Sequence, residues 1–192
     1  MRMARLPFLV ATCALLHGVA ANAEGVRVLR SDRTVLEVEL TVGETGWETV
    51  PGPDGTTLRR PWTTGAIHQA PPGAPDLPTV VRLVGLPPDG AARVRVLSVE
   101  TSAQPIADLA PAPEPVPEAD ERGVARERRT ALVAGDGEGP WAELGQPVSL
   151  RGRRFAHLVL HPFRYSSARG ELTTARRLVA RVEFEGGEAA RS

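Results

Sequence analysis

Hydrophobic and polar positions alternate along much of this chain with a period of two. The clearest stretch runs from Gly73 to Glu100. There an apolar run, Thr79 to Leu86, precedes the turn Pro87-Pro88-Asp89-Gly90 and a second run, Ala91 to Val99. In the second run Val94 and Val96 fall on one side, and Arg93, Arg95, Leu97 and Val99 on the other. Alternation bounded by Pro and Gly predicts strand, turn, strand, and Asp89-Gly90 supplies the positive backbone angles of a tight turn. The expectation is a β-hairpin near the middle of an all-β domain.

The same reading extends in both directions. Val26 to Arg30 predicts a short strand and Ser31-Asp32-Arg33 a turn. Thr34 to Thr41 follows, with Leu36, Val38 and Leu40 on one face and Glu37 and Glu39 on the other, as in a half-buried antiparallel strand. Trp47 to Val50 is another short strand. Pro51 to Pro78 reads as a loop-rich segment with Trp62 packed onto the domain edge, because so large an apolar ring is rarely left in water. Near the other end Arg154 to His161 places Ala156, Leu158 and Leu160 on one face, and Leu178 to Phe184 does the same with Leu178, Ala180, Val182 and Phe184. These two are expected to be strands of one sheet system, joined by an arch and the short strand Glu171 to Thr174.

The alternation stops between Ser102 and Pro140. Prolines 105, 111, 113, 115 and 117 favour extended polyproline backbone. Ala119 to Arg129 carries Asp120 and Glu121 early and Arg126, Arg128 and Arg129 late, an order that suits a helix dipole, although Gly123 weakens the helix. The whole of Ser102 to Pro140 is expected to be a long mobile loop.

Composition then narrows the class. Arg2 and Arg5, the apolar stretch Leu6 to Val19 and the small-x-small site Ala21-Asn22-Ala23 together read as a secretory signal peptide. Cleavage is expected between Ala23 and Glu24. A single domain over residues 24–186 follows, with 187–192 as tail or linker. The only cysteine, Cys13, lies in the signal, so the exported chain has no disulfide framework and no thiol nucleophile. The 192 residues carry 23 basic and 23 acidic side chains, every basic one an arginine. No basic stripe with interleaved aromatics argues for nucleic acid. After the signal no apolar run is long enough to cross a membrane.

Candidate chemistry is sparse. A Gly-rich phosphate loop and a Gly-x-Ser-x-Gly elbow are both missing. His157 and His161 have a helical metal-ligand spacing, but on a strand four residues span about 13 Å, too far for one ion. No cofactor or metal is expected. The arginines Arg126, Arg128 and Arg129 remain. Either they solvate a surface helix, or one of them is offered to a partner's pocket.

A set of ordered pieces carries a resemblance. They are Gly73-x-Pro75-x-Leu77-Pro78, the strand Val81 to Pro87, and Val94 to Val99. Pro111-Ala112-Pro113 to Pro117, Trp141 with Leu144-Gly145, and Leu150-Arg151-Gly152 come next. His161-Pro162-Phe163-x-Tyr165, Gly170-Glu171-Leu172 and Val179 to Phe184 complete the set. Over residues 70 to 185 this pattern resembles the N-terminal propeptide of gingipain-type cysteine peptidases, secreted bacterial enzymes with a caspase-like catalytic domain. His161 departs from the pattern, which has an aromatic there, typically Tyr. The resemblance implies an all-β fold, an antiparallel, jelly-roll-like β-sandwich with one long Pro-rich loop. It also implies a non-catalytic domain that covers a cysteine peptidase's cleft, keeps it latent and helps it fold. The partner would be a caspase-like domain, in cis or from an adjacent gene. Arg126, Arg128 or Arg129 would enter the specificity pocket, and Arg191 is a candidate processing position. The alternative is a stand-alone exported β-sandwich used for adhesion or scaffolding.

Overall fold

The computed structural model describes residues 25–119, 125–128 and 139–185. In chain order the strands are β1 (Gly25–Ser31), β2 (Val35–Thr41), β3 (Thr45–Pro51), β4 (Thr57–Thr63), β5 (Ile67–His68), β6 (Pro78–Leu86) and β7 (Ala92–Pro105). After them come β8 (Glu114–Ala119), β9 (Ala125–Arg128), β10 (Ala142–Leu144), β11 (Val148–Leu150), β12 (Arg153–Leu160), β13 (Phe163–Ser166) and β14 (Glu171–Phe184). One short 3-10 turn, Pro53–Gly55, is the only helical element among the described residues.

Two antiparallel sheets face each other. In the first, β14 is central: β2 and β13 share one of its edges, β7 takes the other, and β1 adds to β2. The second has the order β10-β12-β6-β5, with β11 also on β12. Val38, Leu40, Leu178, Ala180 and Val182 of the first sheet pack on Val80, Val84, Ala142, Leu158 and Leu160 of the second. Leu158 and Val182 are fully buried. Alternate side chains meet between the layers, as expected of an all-β sandwich. A smaller second core, Ile106, Leu109, Phe163, Tyr165 and Leu172, closes one end.

The expected central hairpin is absent. β6 and β7 are both present, but β6 pairs with β12 and β5, and β7 pairs with β14. The Pro-Pro-Asp-Gly turn is a corner that carries the chain from one sheet to the other. Gly90 takes φ +89° there, a region that costs glycine little. The Arg154 guanidinium donates to the carbonyls of Pro87, Pro88 and Gly90 at 3.2, 3.1 and 3.1 Å. A side chain distant in sequence thus satisfies corner carbonyls that a hairpin would pair locally.

β7 also departs from strict alternation. Its register against β14 slips between Val96 and Ser98, leaving Leu97 as a bulge. Val94 and Val99 therefore both pack on the core, whereas Val96 and Leu97 are exposed. One extra residue reverses the faces beyond it. For the same reason of partner choice, β12 and β14 lie in opposite sheets and meet across the core. Glu171 to Thr174 is not a separate strand but the start of β14.

Pro51 to Pro78 is less loop-like than expected, because β4 pairs with β3 along its whole length. Trp62 lies in β4, half-buried, over Gly46. A Cβ on Gly46 would stand 2.6 Å from the indole, so the close approach requires glycine.

Candidate partner-binding arm

The Pro-rich segment divides into a fixed base and a projecting ribbon. Ser102 to Pro105 belongs to β7 and is paired with β14. Ile106 donates its amide to the Gly170 carbonyl at 2.8 Å and turns its side chain into the second core with Leu109. The next residues are held from two sides. On one side the Arg59 amide donates to the Asp108 carbonyl at 2.7 Å, and the Ala110 amide to the Arg59 carbonyl at 2.8 Å. On the other side the Asp76 amide reaches the Ala110 carbonyl at 3.0 Å, and the Ala112 amide reaches Ala74 at 2.7 Å. Ala110, Pro111 and Ala112 are buried. The expectation of one mobile loop over Ser102 to Pro140 is corrected here for Ser102 to Ala112; residues 120–124 and 129–138 lie outside the described residues. Prolines lack an amide hydrogen but still offer carbonyls and apolar rings, so the segment docks between β4 and the 73–76 lead instead of remaining in water.

Side chains reinforce the base. Asp108 accepts three hydrogen bonds from the Arg59 guanidinium, at 2.7 to 2.9 Å. Those bonds hold the Asp108 carboxyl below the usual carboxylate range and raise Arg59 above its ordinary value. The Arg59 guanidinium also lies 4.9 Å over the Trp47 ring. Asp76 is 1% exposed. Its carboxylate meets His68 Nδ1 at 2.8 Å and Arg60 at 3.5 Å. Arg60 also donates to Glu48 at 2.5 and 3.1 Å. Burial works against the Arg60 charge, but the hydrogen bonds and attraction of Glu48, with the pull of Asp76, leave its pKa raised.

From this base β8 and β9 leave as a two-stranded ribbon, paired with each other and with no other strand among the described residues. Arg128 stands opposite Glu114 and Arg126 opposite Val116, and the register slips between Val116 and Ala119. The helix expected over Ala119 to Arg129 is thereby corrected: Ala119 ends β8, and 125–128 is strand. Charge order along a segment is a weak determinant, and strand pairing with β8 overrides it. Prolines fit β8 because a two-stranded ribbon leaves half of its backbone groups without a ladder partner.

Of the residues singled out from sequence, Arg126 and Arg128 thus lie two apart on β9. Arg129, the cleavage pair Ala23 and Glu24, and Arg191 lie outside the described residues. His157 sits exposed on β12, and His161 Nε2 meets Glu143 at 2.6 Å. Among the described residues no cluster of three metal-ligating side chains forms. Sequence reading missed Arg59, Asp76 and Asp108, which hold the base. Asp76 was visible within Pro75-Asp76-Leu77-Pro78, but nothing local showed that its partners would be His68 and Arg60.

Where the chain returns from the arm, Trp141 is stacked under the Arg164 guanidinium at 4.0 Å. A groove of about 380 Å³ lies beside this return, lined by Leu77, Thr79, Pro140, Val159, His161 and Phe163 among others.

Two solved structures share this fold. One is a complex of Porphyromonas gingivalis RgpB pro- and mature domains. It matches with a TM-score of 0.73 at 20% identity, covering 84% of this chain and 85% of that one. The other, described as structural insight into zymogenic latency of gingipain K from Porphyromonas gingivalis, matches with a TM-score of 0.71 at 19% identity, covering 87% and 96%. No curated protein sequence matches the chain. The family model described as Propeptide_C25 matches residues 18–191, nearly the whole length, and the chain therefore belongs to the Propeptide_C25 family.

Proposed function

We propose that this chain is the propeptide of a gingipain-type peptidase, itself non-catalytic, which keeps that peptidase latent by covering its cleft. The observation that carries the reading is the arm: a two-stranded ribbon bearing Arg126 and Arg128 on a buried, hydrogen-bonded base, within a chain of this family. The base sets the arm's position before binding, so less conformational entropy is lost on docking. An arginine offered by the arm has five donors and a permanent charge, and it can pair bidentately with a carboxylate in a specificity pocket. Arg126, Arg128 and Arg129 are the candidates. The partner in this reading is a cysteine-type, caspase-like domain, in cis or from an adjacent gene. Export by cleavage between Ala23 and Glu24 accompanies it, with Arg191 as a processing position. N-terminal sequencing of exported material that begins at Met1 would sink the export part.

The test is inhibition of the cognate peptidase by the purified chain and by Arg126→Ala, Arg128→Ala and Arg129→Ala made singly. Truncating a desolvated anchor costs about 2–5 kcal/mol of binding. Solvating arginines cost under about 1 kcal/mol each. Equal inhibition by all three variants refutes the arginine anchor. A parent chain that neither binds nor inhibits refutes the propeptide reading, and the adhesion or scaffold alternative replaces it.

A further inference from the structure

The charges of the first sheet are almost all paired within the chain. Glu39 is paired with Arg27 and Arg177, and Glu37 with Arg181. Arg95–Glu183 and Arg93–Glu185 continue the network along β7 and β14. Of the three arginines of β14, Arg176 is the exception. Among the described residues it takes part in no ion pair. Register gives the reason. The pairing of β14 with β7 slips between Ala175 and Arg177, which leaves Arg176 as an extra residue in a bulge. Arg177, which stands opposite Glu100, takes both Glu100 and Glu39.

The bulge sets Arg176 beside a cavity. The Val42 amide donates to the Arg176 carbonyl at 3.0 Å and so fixes the backbone that carries the guanidinium. A cavity of about 390 Å³ opens there, where the end of β2, the start of β3, the end of β7 and β14 meet. Thr45, Ser102, Gln104 and Thr174 line it together with Arg176. Register puts Ser102 opposite Thr174, and Gln104 opposite Leu172, two residues along. Opposite residues, and residues two apart on a strand, share a face, so Ser102, Gln104 and Thr174 present their polar ends together. Among the described residues none of these four polar side chains is engaged in a hydrogen bond within the chain. Arg176 is the one charged side chain among the described residues that line the cavity.

This set of groups selects a class of ligand. A guanidinium without an internal carboxylate pairs bidentately with a planar carboxylate from outside. Three hydroxyls and one amide both donate and accept, which suits ligand hydroxyls better than the acceptor-only oxygens of phosphate or sulfate. The apolar part of the lining is small, Val42, Ala103 and Ala175, and gives little cover to a hydrophobic group. The volume falls within the range of small-molecule sites. We propose that this cavity is a binding site for an acidic sugar, a hexuronate whose carboxylate pairs with Arg176 and whose hydroxyls meet Thr45, Ser102, Gln104 and Thr174. The source is either the free acid or a unit of an acidic polysaccharide. The site stands apart from the arm and does not depend on the propeptide reading.

The purified chain is titrated calorimetrically with glucuronate, glucose and acetate, and glucuronate is repeated on Arg176→Gln, Thr174→Val and, as a control in the β1–β2 turn, Arg33→Gln. Arg176 is exposed and its anchoring bond is made by backbone, so thermal unfolding of Arg176→Gln should match the parent. Glucuronate should saturate one site, with glucose and acetate each weaker by about tenfold or more, because each lacks half of the contacts. Arg176→Gln should weaken glucuronate by about tenfold or more and Thr174→Val by about three- to tenfold, with Arg33→Gln unchanged. A tri-uronide that binds at least as tightly as the monomer assigns the site to a polysaccharide, and one that is excluded assigns it to the free acid. No saturable glucuronate binding overturns the proposal, as does binding that Arg176→Gln leaves unchanged. Acetate as tight as glucuronate reduces the cavity to an unspecific anion contact and overturns it too.

Discussion

Removal of the Asp76 carboxylate tests whether the arm's base is held by buried charge. Asp76 is 1% exposed, between His68 at 2.8 Å and Arg60 at 3.5 Å. Breaking a buried pair by deleting one partner costs about 3–5 kcal/mol, because the remaining charge is left uncompensated. Arg60 retains Glu48, however, and the Arg60 and His68 side chains are 20% and 23% exposed. Water and Glu48 therefore take up part of the loss, and Asp76→Ala is expected near the low end, about 3 kcal/mol. For a domain of this size that corresponds to about 6–12 °C in midpoint. Asp76→Asn keeps an acceptor for His68 but no charge opposite Arg60, and should cost about 1–2 kcal/mol. Urea unfolding followed by the fluorescence of the three tryptophans gives the magnitudes. Hydrogen exchange gives the location: the Ala110 and Ala112 amides, bonded to Arg59 and Ala74, should lose protection before core amides such as those of β12. A loss below about 1 kcal/mol for Asp76→Ala, with those amides still protected, would refute the reasoning, and the base would then rest on its backbone bonds, the Arg59–Asp108 pair and the second core.

Gly46→Ala places a Cβ 2.6 Å from the Trp62 ring; the overpacking should cost about 1–3 kcal/mol, and a Trp62→Leu background should relieve most of it. Acid should destabilise the fold in a defined window. The Arg27 hydrogen bond first, then Arg177, lowers Glu39 from 4.5, and Arg59 lowers Asp108 from 3.8. Both groups bind protons more tightly when unfolded, so their contribution is full above those values and is lost as pH falls through the lower folded ones. Thermal midpoints should be flat from neutral pH to about 5 and fall below about 4; Glu39→Gln should flatten the acid limb, and an unchanged limb would show that other carboxylates set it.

What the sequence determined by itself was strand identity. Leu36, Val38 and Leu40, or Ala156, Leu158 and Leu160, declare a buried face through spacing alone, because the pleat fixes period two locally. The all-β class and the resemblance to gingipain-type propeptides followed from that spacing and from motif order. Strand partnership was not determined, since hydrogen-bond partners are chosen by contacts remote in sequence. Pro87-Pro88-Asp89-Gly90 has the composition of a hairpin turn, yet Arg154 from β12 holds it as a corner between sheets. The bulge at Leu97 is equally silent, because it exists only relative to β14. The arm shows the same division. Its arginines and prolines were legible as a segment apart from the core. Its ribbon pairing and its base on Arg59, Asp76 and Asp108 arise only when β4, the 73–76 lead and the second core converge. Tertiary structure also decided the ion pairs on the outer face of the first sheet. In sequence Glu39 is one residue of an alternating strand, and only the sheet order sets it between Arg27 and Arg177.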